Sequence, residues 1–192
     1  MLLLIPIIIN PKFHQTLYAI DQDLALITHN SNCPYCNNVL HQANYPRSPN
    51  GMPNDQREYY ELRFSFCCSH CRTRITPETV RFFGRRWHPA PAHILISALK
   101  VGINNKRLIQ VQRHLGITVS LSTWKRWRLW WQNQFDETLY WKAARGSLLA
   151  QPEDNSQIPR LLIECFSGSL SDRLVRLLKF LSPITGRVLR GI

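Results

Sequence analysis

Residues 33–71, CPYCNNVLHQANYPRSPNGMPNDQREYYELRFSFCCSHC, open on Cys33-Pro34-Tyr35-Cys36 and close on Cys68-Ser69-His70-Cys71. Each end is a Cys-x-x-Cys turn, in which two thiolates reach one metal ion from one tight bend. Two such turns supply four thiolates, the closed tetrahedral shell of a structural zinc site. The stretch between them reads as a hairpin. From Arg57 to Cys67 the chain alternates, with Leu62, Phe64 and Phe66 on one side and Glu61, Arg63 and Ser65 on the other. Asn38 to Arg47 can form the opposing strand, and Ser48 to Asp55 has the Pro, Gly and Asn content of a turn. Knuckle, strand, loop, strand, knuckle is the plan of a zinc ribbon.

The second knuckle holds more donors than it needs. Cys67 adjoins Cys68, and Cys67 with His70 also has x-x spacing. Cys68 with Cys71 matches the first knuckle and is the preferred pair, giving Cys33, Cys36, Cys68 and Cys71 as ligands of a structural Zn2+. His41 is a further nitrogen near the first knuckle. Cys165 lies in a helical stretch and reads as a small apolar residue.

The charge balance is uneven. The 192 residues carry 24 Lys+Arg against 12 Asp+Glu, a formal net charge of +12. Such a surplus favours a polyanionic partner, with nucleic acid ahead of an anionic membrane. Six cysteines, four of them in Cys-x-x-Cys pairs, point to metal in a reducing compartment, the cytoplasm, rather than to a disulfide framework. Residues 1–30 read as a leader. Met1 to Ile9 is apolar but too short to span a bilayer, is interrupted by Pro6, and lacks a basic flank, so it reads as strand-like or loosely packed. Residues 10–32 carry no recognisable motif.

After the ribbon (31–88), Thr76-Pro77-Glu78 can open a turn or short helix, and Thr79 to Phe83 reads as a third ribbon strand. Gly84-Arg85-Arg86-Trp87 is a basic and aromatic patch. From Thr79 to Phe135 the chain has no acidic residue, yet it holds Arg81, Arg85, Arg86, Lys100, Lys106, Arg107, Arg113, Lys125, Arg126 and Arg128. An all-cationic segment suits a phosphate backbone, whose neutralisation releases counterions. Residues 89–135 also have a helical rhythm. Ala90 to Val101 reads as a first helix stopped by Gly102, and Lys106 to Leu115 as a second ended by Gly116. A third runs through Trp131 behind a Ser120 or Ser122 cap. This is the pattern of a helix-turn-helix, whose last helix lies in the major groove. Ser122, Thr123, Lys125, Arg126 and Arg128 would then approach bases and phosphates, with Arg85, Arg86, Lys106, Arg107 and Arg113 as further backbone contacts. Trp124, Trp127 and Trp131, spaced i, i+3, i+7, form its core face.

Several of these motifs together carry a resemblance. Cys33-x-x-Cys36 with Leu40-His41 and Tyr45-Pro46-Arg47, then Phe66-Cys67-Cys68, Cys71-Arg72-x-Arg74, and Leu115-Gly116-Ile117 to Trp127, resemble the zinc-ribbon and helix-turn-helix proteins of bacterial mobile elements. Such modules form amino-terminal parts of transposases and also occur as small companion proteins. The resemblance covers roughly residues 30–135. It implies double-stranded DNA as partner and a role in transposition, close to the nucleoid. The interval from Gly116 to Trp127 is longer here than in those proteins, so the turn is longer or the third helix starts later.

Residues 136–192 read as a helical tail. Asp136 can cap Glu137 to Arg145, Pro159 can open a helix through Phe166, and Ser171 can cap Asp172 to Leu181. Leu174, Leu177, Leu178 and Leu181 share one face. Either they fold onto the core, or they dock on a partner such as a transposase or recombinase. No catalytic site is expected. The acids after residue 135 are Asp136, Glu137, Glu153, Asp154, Glu164 and Asp172, at helix starts or in a linker, with no strand core to hold metal ions between them. The expected fold is therefore α+β: a small zinc ribbon, a helix-turn-helix and a helical tail, in a non-catalytic, membrane-free, DNA-binding protein. A protein-interaction adaptor with non-specific DNA affinity, or an RNA-binding ribbon, are the alternatives.

Overall fold

Asn10-Pro11 starts the longest helix of the chain. The Asn10 side chain accepts from the Lys12 N–H at 3.0 Å, and Pro11 takes the first helical position, where a missing N–H costs nothing. The computed structural model describes residues 5–47, 53–83, 88–98, 104–116, 118–148 and 158–186. In chain order the helices are α1 (Ile5–Ile8), α2 (Pro11–Asn30), α3 (Ala90–Ser97), α4 (Asn105–Leu115), α5 (Leu121–Asn133), α6 (Leu139–Ala144), α7 (Arg160–Glu164) and α8 (Leu170–Leu181). The strands are β1 (Leu40–Gln42), β2 (Tyr45–Pro46), β3 (Leu62–Arg63), β4 (Phe66–Cys68), β5 (Arg74–Ile75), β6 (Phe82–Phe83) and β7 (His88–Pro89). The chain is thus mixed, helices with small sheets, as an α+β reading requires.

Two apolar clusters share α2. Phe13 and Leu17 belong to the larger one, with Ile7 and Ile8 of α1 and the buried faces of α3 to α8. Ala25, about four turns from the start of the helix, belongs to the smaller one with Cys33, Leu40, Phe64, Phe66, Cys68 and Ile75. The motif-free leader is therefore the element that joins the two. Residues 5–8 form a helical turn, not a strand, and Ile7 and Ile8 are buried. The buried face of α2 also carries His14 and Asp21, while Leu26 and Ile27 stand in solvent, so no clean apolar stripe marks it. His14 Nε2 meets the Ile8 carbonyl at 2.6 Å and therefore carries the proton; Nδ1 accepts from the Tyr60 hydroxyl at 2.9 Å. Burial lowers the His14 pKa and keeps the ring neutral.

Pairing around the cysteines differs in detail from the alternation. Asn54–Tyr60 is a 3₁₀ turn rather than the start of a strand. The two strands after it are short: β3 pairs antiparallel with β2, and β4 with β1 and β5. Arg63 and Ser65, on the side opposite Leu62, Phe64 and Phe66, are also fully buried, because both faces of this hairpin are covered. The third strand of the sheet is Arg74–Ile75; Phe82–Phe83 instead pairs with His88–Pro89 in a separate ribbon. Thr76-Pro77 starts no helix.

A buried ion pair fastens these parts together. Asp21 of α2 accepts from the Arg81 Nε at 2.7 Å, from the Val80 N–H at 2.7 Å and from the Thr79 hydroxyl. Arg81 also donates to the carbonyls of Tyr59 and Leu62, and its guanidinium lies over the rings of Tyr18, Phe82 and Phe64. Arg81 thus belongs to the interior, not to a cationic surface.

The tail closes on the core. Leu174, Leu177, Leu178 and Leu181 are at most 2% exposed, and each contributes about 2 kcal/mol by burial. They are not free to anchor a partner. Ser169, not Ser171, caps α8 in a reciprocal box with Asp172, and Thr138, not Asp136, caps α6. Thr185, after α8, accepts from the Thr79 N–H at 2.8 Å, so the tail is tied to the chain beside the ion pair.

α4 ends at Leu115 and α5 begins at Leu121, a longer connection than a tight turn. Gly116 ends α4 with φ +62, the left-handed region. Gly116→Ala is expected to cost about 1 kcal/mol through this backbone conformation alone, since Pro53 leaves the Cβ ordinary contact distance. A urea midpoint shift reads this out.

Candidate metal centre and the basic helix face

Pairing of β1 with β4 sets Leu40 opposite Cys68 and so carries the second knuckle to the first. The two bends are built alike. The Cys33 N–H donates to the Asn38 carbonyl at 2.8 Å, and the Cys68 N–H to the Thr73 carbonyl at 3.0 Å, five residues on in both cases. The residue after each second cysteine is left-handed, Asn37 at φ 56 and Arg72 at φ 58. Asparagine tolerates that region; for arginine it is a strain that the pairing on either side holds in place.

The Sγ atoms of Cys33, Cys36, Cys68 and Cys71 lie within 4.8 Å of one another. Cys33 to Cys71 is 3.6 Å and Cys36 to Cys68 is 3.3 Å. A tetrahedral shell with bonds of about 2.3 Å has sulfur–sulfur edges of about 3.8 Å, whereas a disulfide is about 2.05 Å. The four cysteines therefore fit a shared metal ion and are not bonded to each other.

In the second knuckle, Cys68 and Cys71 are the residues that cluster with Cys33 and Cys36. In β4, Phe66 and Cys68 are buried and Cys67 between them points to the other side. The Cys67 sulfur faces the Arg72 carbonyl at 3.5 Å, outside the shell. His41 and His70 are exposed. The His70 contribution is its backbone N–H, which donates to the Cys68 sulfur at 3.4 Å.

Polar groups around the cluster favour thiolates. The Thr73 hydroxyl, 3.3 Å from the Cys71 sulfur, and the Thr73 N–H hold that thiol down to about 6. The Asn38 N–H lowers Cys36 in the same way. Burial pushes Cys68, which has no exposed surface, up to about 11. A bound cation reverses that penalty, because a coordinating thiol is deprotonated outright. Thr73 and Asn38 were not singled out from the sequence; their place after each Cys-x-x-Cys turn was the available signal.

The basic residues are distributed differently. α5 buries Trp124, Trp127 and Trp131 and turns Ser122, Lys125 and Arg126 to solvent. The Ser120 hydroxyl, which caps the helix, accepts from the Thr123 N–H at 3.2 Å. Arg126 Nη2 donates to the Thr123 hydroxyl at 3.1 Å, which aims the guanidinium along the first turn. Arg128 is half-buried, and Lys106 and Arg113 of α4 are exposed. Arg85, Arg86 and the Arg107 side chain lie outside the described residues. Behind α5 stands an aromatic wall: Phe83 stacks on Trp131, and His93 of α3 sits 4.5 Å from Trp127. Burial, with His88 adding to it, keeps the His93 pKa well below its ordinary value.

No protein-family model matches the chain, and neither a curated protein nor a solved structure matches it. Among the described residues no helix is long and apolar enough to cross a membrane.

Proposed function

We propose that this protein is a zinc-dependent reader of double-stranded DNA, a zinc ribbon joined to a helix-turn-helix, serving a mobile element as an accessory factor or as a transposase's DNA-binding module. The observation that carries the reading is α5. One side is fixed in the core by three tryptophans, and the other presents Ser122, Lys125 and Arg126 from the first turns of a capped helix. A helix held from behind, with cations and hydroxyls on its outer face, suits the major groove. The closed four-thiolate set offers no ligand position to a substrate, which suits a structural zinc rather than catalysis. The metal would hold the ribbon in shape and keep its exposed cations, among them Arg72 and Arg74, against phosphates. A reducing cytoplasm keeps such thiolates available.

RNA binding by stacking would need the α5 tryptophans in solvent, and Trp124, Trp127 and Trp131 are in the core. The adaptor reading has one observation in its favour. Leu26, Ile27, Tyr35 and Val39, on the last turns of α2 and around the first knuckle, are more than half exposed.

The test is to select bound sequences from a random duplex pool at near-physiological salt, with zinc-loaded and chelated protein side by side. An enriched motif, lost on chelation, is expected. Lys125→Ala with Arg126→Ala is expected to weaken binding to that motif by about 2 kcal/mol, or roughly thirtyfold. Retention without any motif would overturn specific reading and favour the adaptor.

A further inference from the structure

The side of α8 that faces away from the core is cationic. Arg173, Arg176 and Lys179 follow one another at i, i+3 and i+6 along it, and Arg176 and Lys179 are exposed. At 1.5 Å rise per residue the row is about 9 Å long, enough to reach two adjacent phosphates of one DNA strand.

The acids nearby are already engaged. Glu164 pairs with Arg160 at 3.3 Å. Asp172 accepts from the Ser169 N–H at 3.1 Å and the Ser169 hydroxyl at 2.6 Å in the capping box. Among the described residues, no carboxylate lies within ion-pair distance of Arg173, Arg176 or Lys179. The two arginines are also pre-placed. Arg173 Nε donates to the Gly168 carbonyl at 2.9 Å, and Arg176 Nη1 reaches the Ser167 hydroxyl at 3.5 Å. Both guanidiniums are thereby drawn over the loop that precedes the helix, with N–H groups left for an outside acceptor.

The helix beneath gives this row a fixed relation to α5. α3 is buried along its whole length, and both α5 and α8 pack against it. Two cationic helices are thus carried on one internal element.

We infer that the outer row of α8 is a second contact to the DNA phosphate backbone, distinct from the base-reading face of α5. The inference rests on the double-stranded DNA reading above. Guanidiniums bind phosphate through paired N–H groups, and the contact carries no sequence information. Its effect is affinity and a longer footprint.

The experiment titrates the full-length, zinc-loaded chain with a duplex bearing the selected motif, and with an unrelated duplex, over a range of salt. Arg176→Gln with Lys179→Gln is expected to weaken both duplexes on the order of tenfold. It should also reduce the slope of log affinity against log salt by about 1.8, at 0.9 per phosphate contact. The motif enriched from a random pool should not change. Lys179→Gln alone should give half the slope change, and Arg176→Lys should keep it. Thermal unfolding of each variant guards against a folding effect. An unchanged slope in variants that still select the motif overturns the inference and leaves the α5 reading standing. Failure of the unaltered protein to bind any duplex overturns both. Loss of binding to vesicles containing anionic phospholipid, with duplex binding unchanged, assigns the row to lipid headgroups and overturns it as well.

Discussion

Stripping the metal with a chelator is expected to unfold the cysteine-bearing sheet while much of the helical cluster persists. The smaller apolar cluster has Cys33 and Cys68 among its seven buried residues, and its strands are two or three residues long. So little apolar surface cannot offset the entropy of ordering residues 33–75. Structural zinc in small thiolate sites supplies about 10–16 kcal/mol of apparent binding free energy, which is also folding free energy. Amide exchange is the direct readout. Protection should be lost over 33–42 and 66–75 and retained in α3, α5 and α8. One zinc per chain should be recovered on reloading. Cys68→Ser is expected to lower zinc affinity more than a hundredfold, because a buried hydroxyl replaces a ligand. Cys67→Ser, whose sulfur lies outside the shell, should leave affinity unchanged. Equal losses from the two variants, or unaltered exchange after chelation, would remove the metal centre from the account of the fold.

The clustering of Cys33, Cys36, Cys68 and Cys71 was legible because Cys-x-x-Cys spacing maps directly onto geometry. The bend that brings two thiolates together is local, and one strand pairing joins the two bends. The tryptophan face of α5 and the leucine face of α8 were legible for a similar reason, each being a single-sided stripe of helical period. α2 was not. Its inner face interrupts Phe13, Leu17 and Ala25 with His14 and Asp21, residues whose burial makes sense only beside Tyr60, Ile8 and Arg81. Those partners are distant in sequence or invisible to periodicity. The same holds for Arg63 and Ser65: alternation puts them on the side opposite Leu62, Phe64 and Phe66, and only the tertiary cover on both faces places them inside. The purpose of the α8 leucines was ambiguous because an amphipathic stripe says that something covers it, not which chain does. The chain's own core answers that question.

Asp21→Ala is expected to be the most damaging substitution outside the metal site. Asp21 and Arg81 have no exposed side-chain surface. Removing the carboxylate leaves a guanidinium in the interior and orphans the Val80 N–H and the Thr79 hydroxyl. Breaking a buried pair from one side costs about 3–5 kcal/mol. That is a large share of the 5–15 kcal/mol typical of whole domains. For a chain of this length the cost corresponds to a fall in melting temperature of about 10 °C. Arg81→Met should be comparably harmful, since it leaves the buried Asp21 carboxylate without its cation and deprives the Tyr59 and Leu62 carbonyls of their donors. In the double variant no charge is left unpaired, so its loss should be smaller than the sum of the two single losses. The two orphaned carbonyls should keep it from full rescue. A coupling of about 2 kcal/mol or more from a double-mutant cycle in urea is therefore expected. Simple additivity, or an Asp21→Ala cost below about 1 kcal/mol, would mean that water reaches the carboxylate site and that α2 is held by its apolar contacts alone. With the expected outcome, α2 joins the cysteine-bearing sheet to the helix cluster that includes α5 through an ion pair, so under the proposed DNA-reading function this substitution should also weaken duplex binding although no atom of Asp21 lies at the surface.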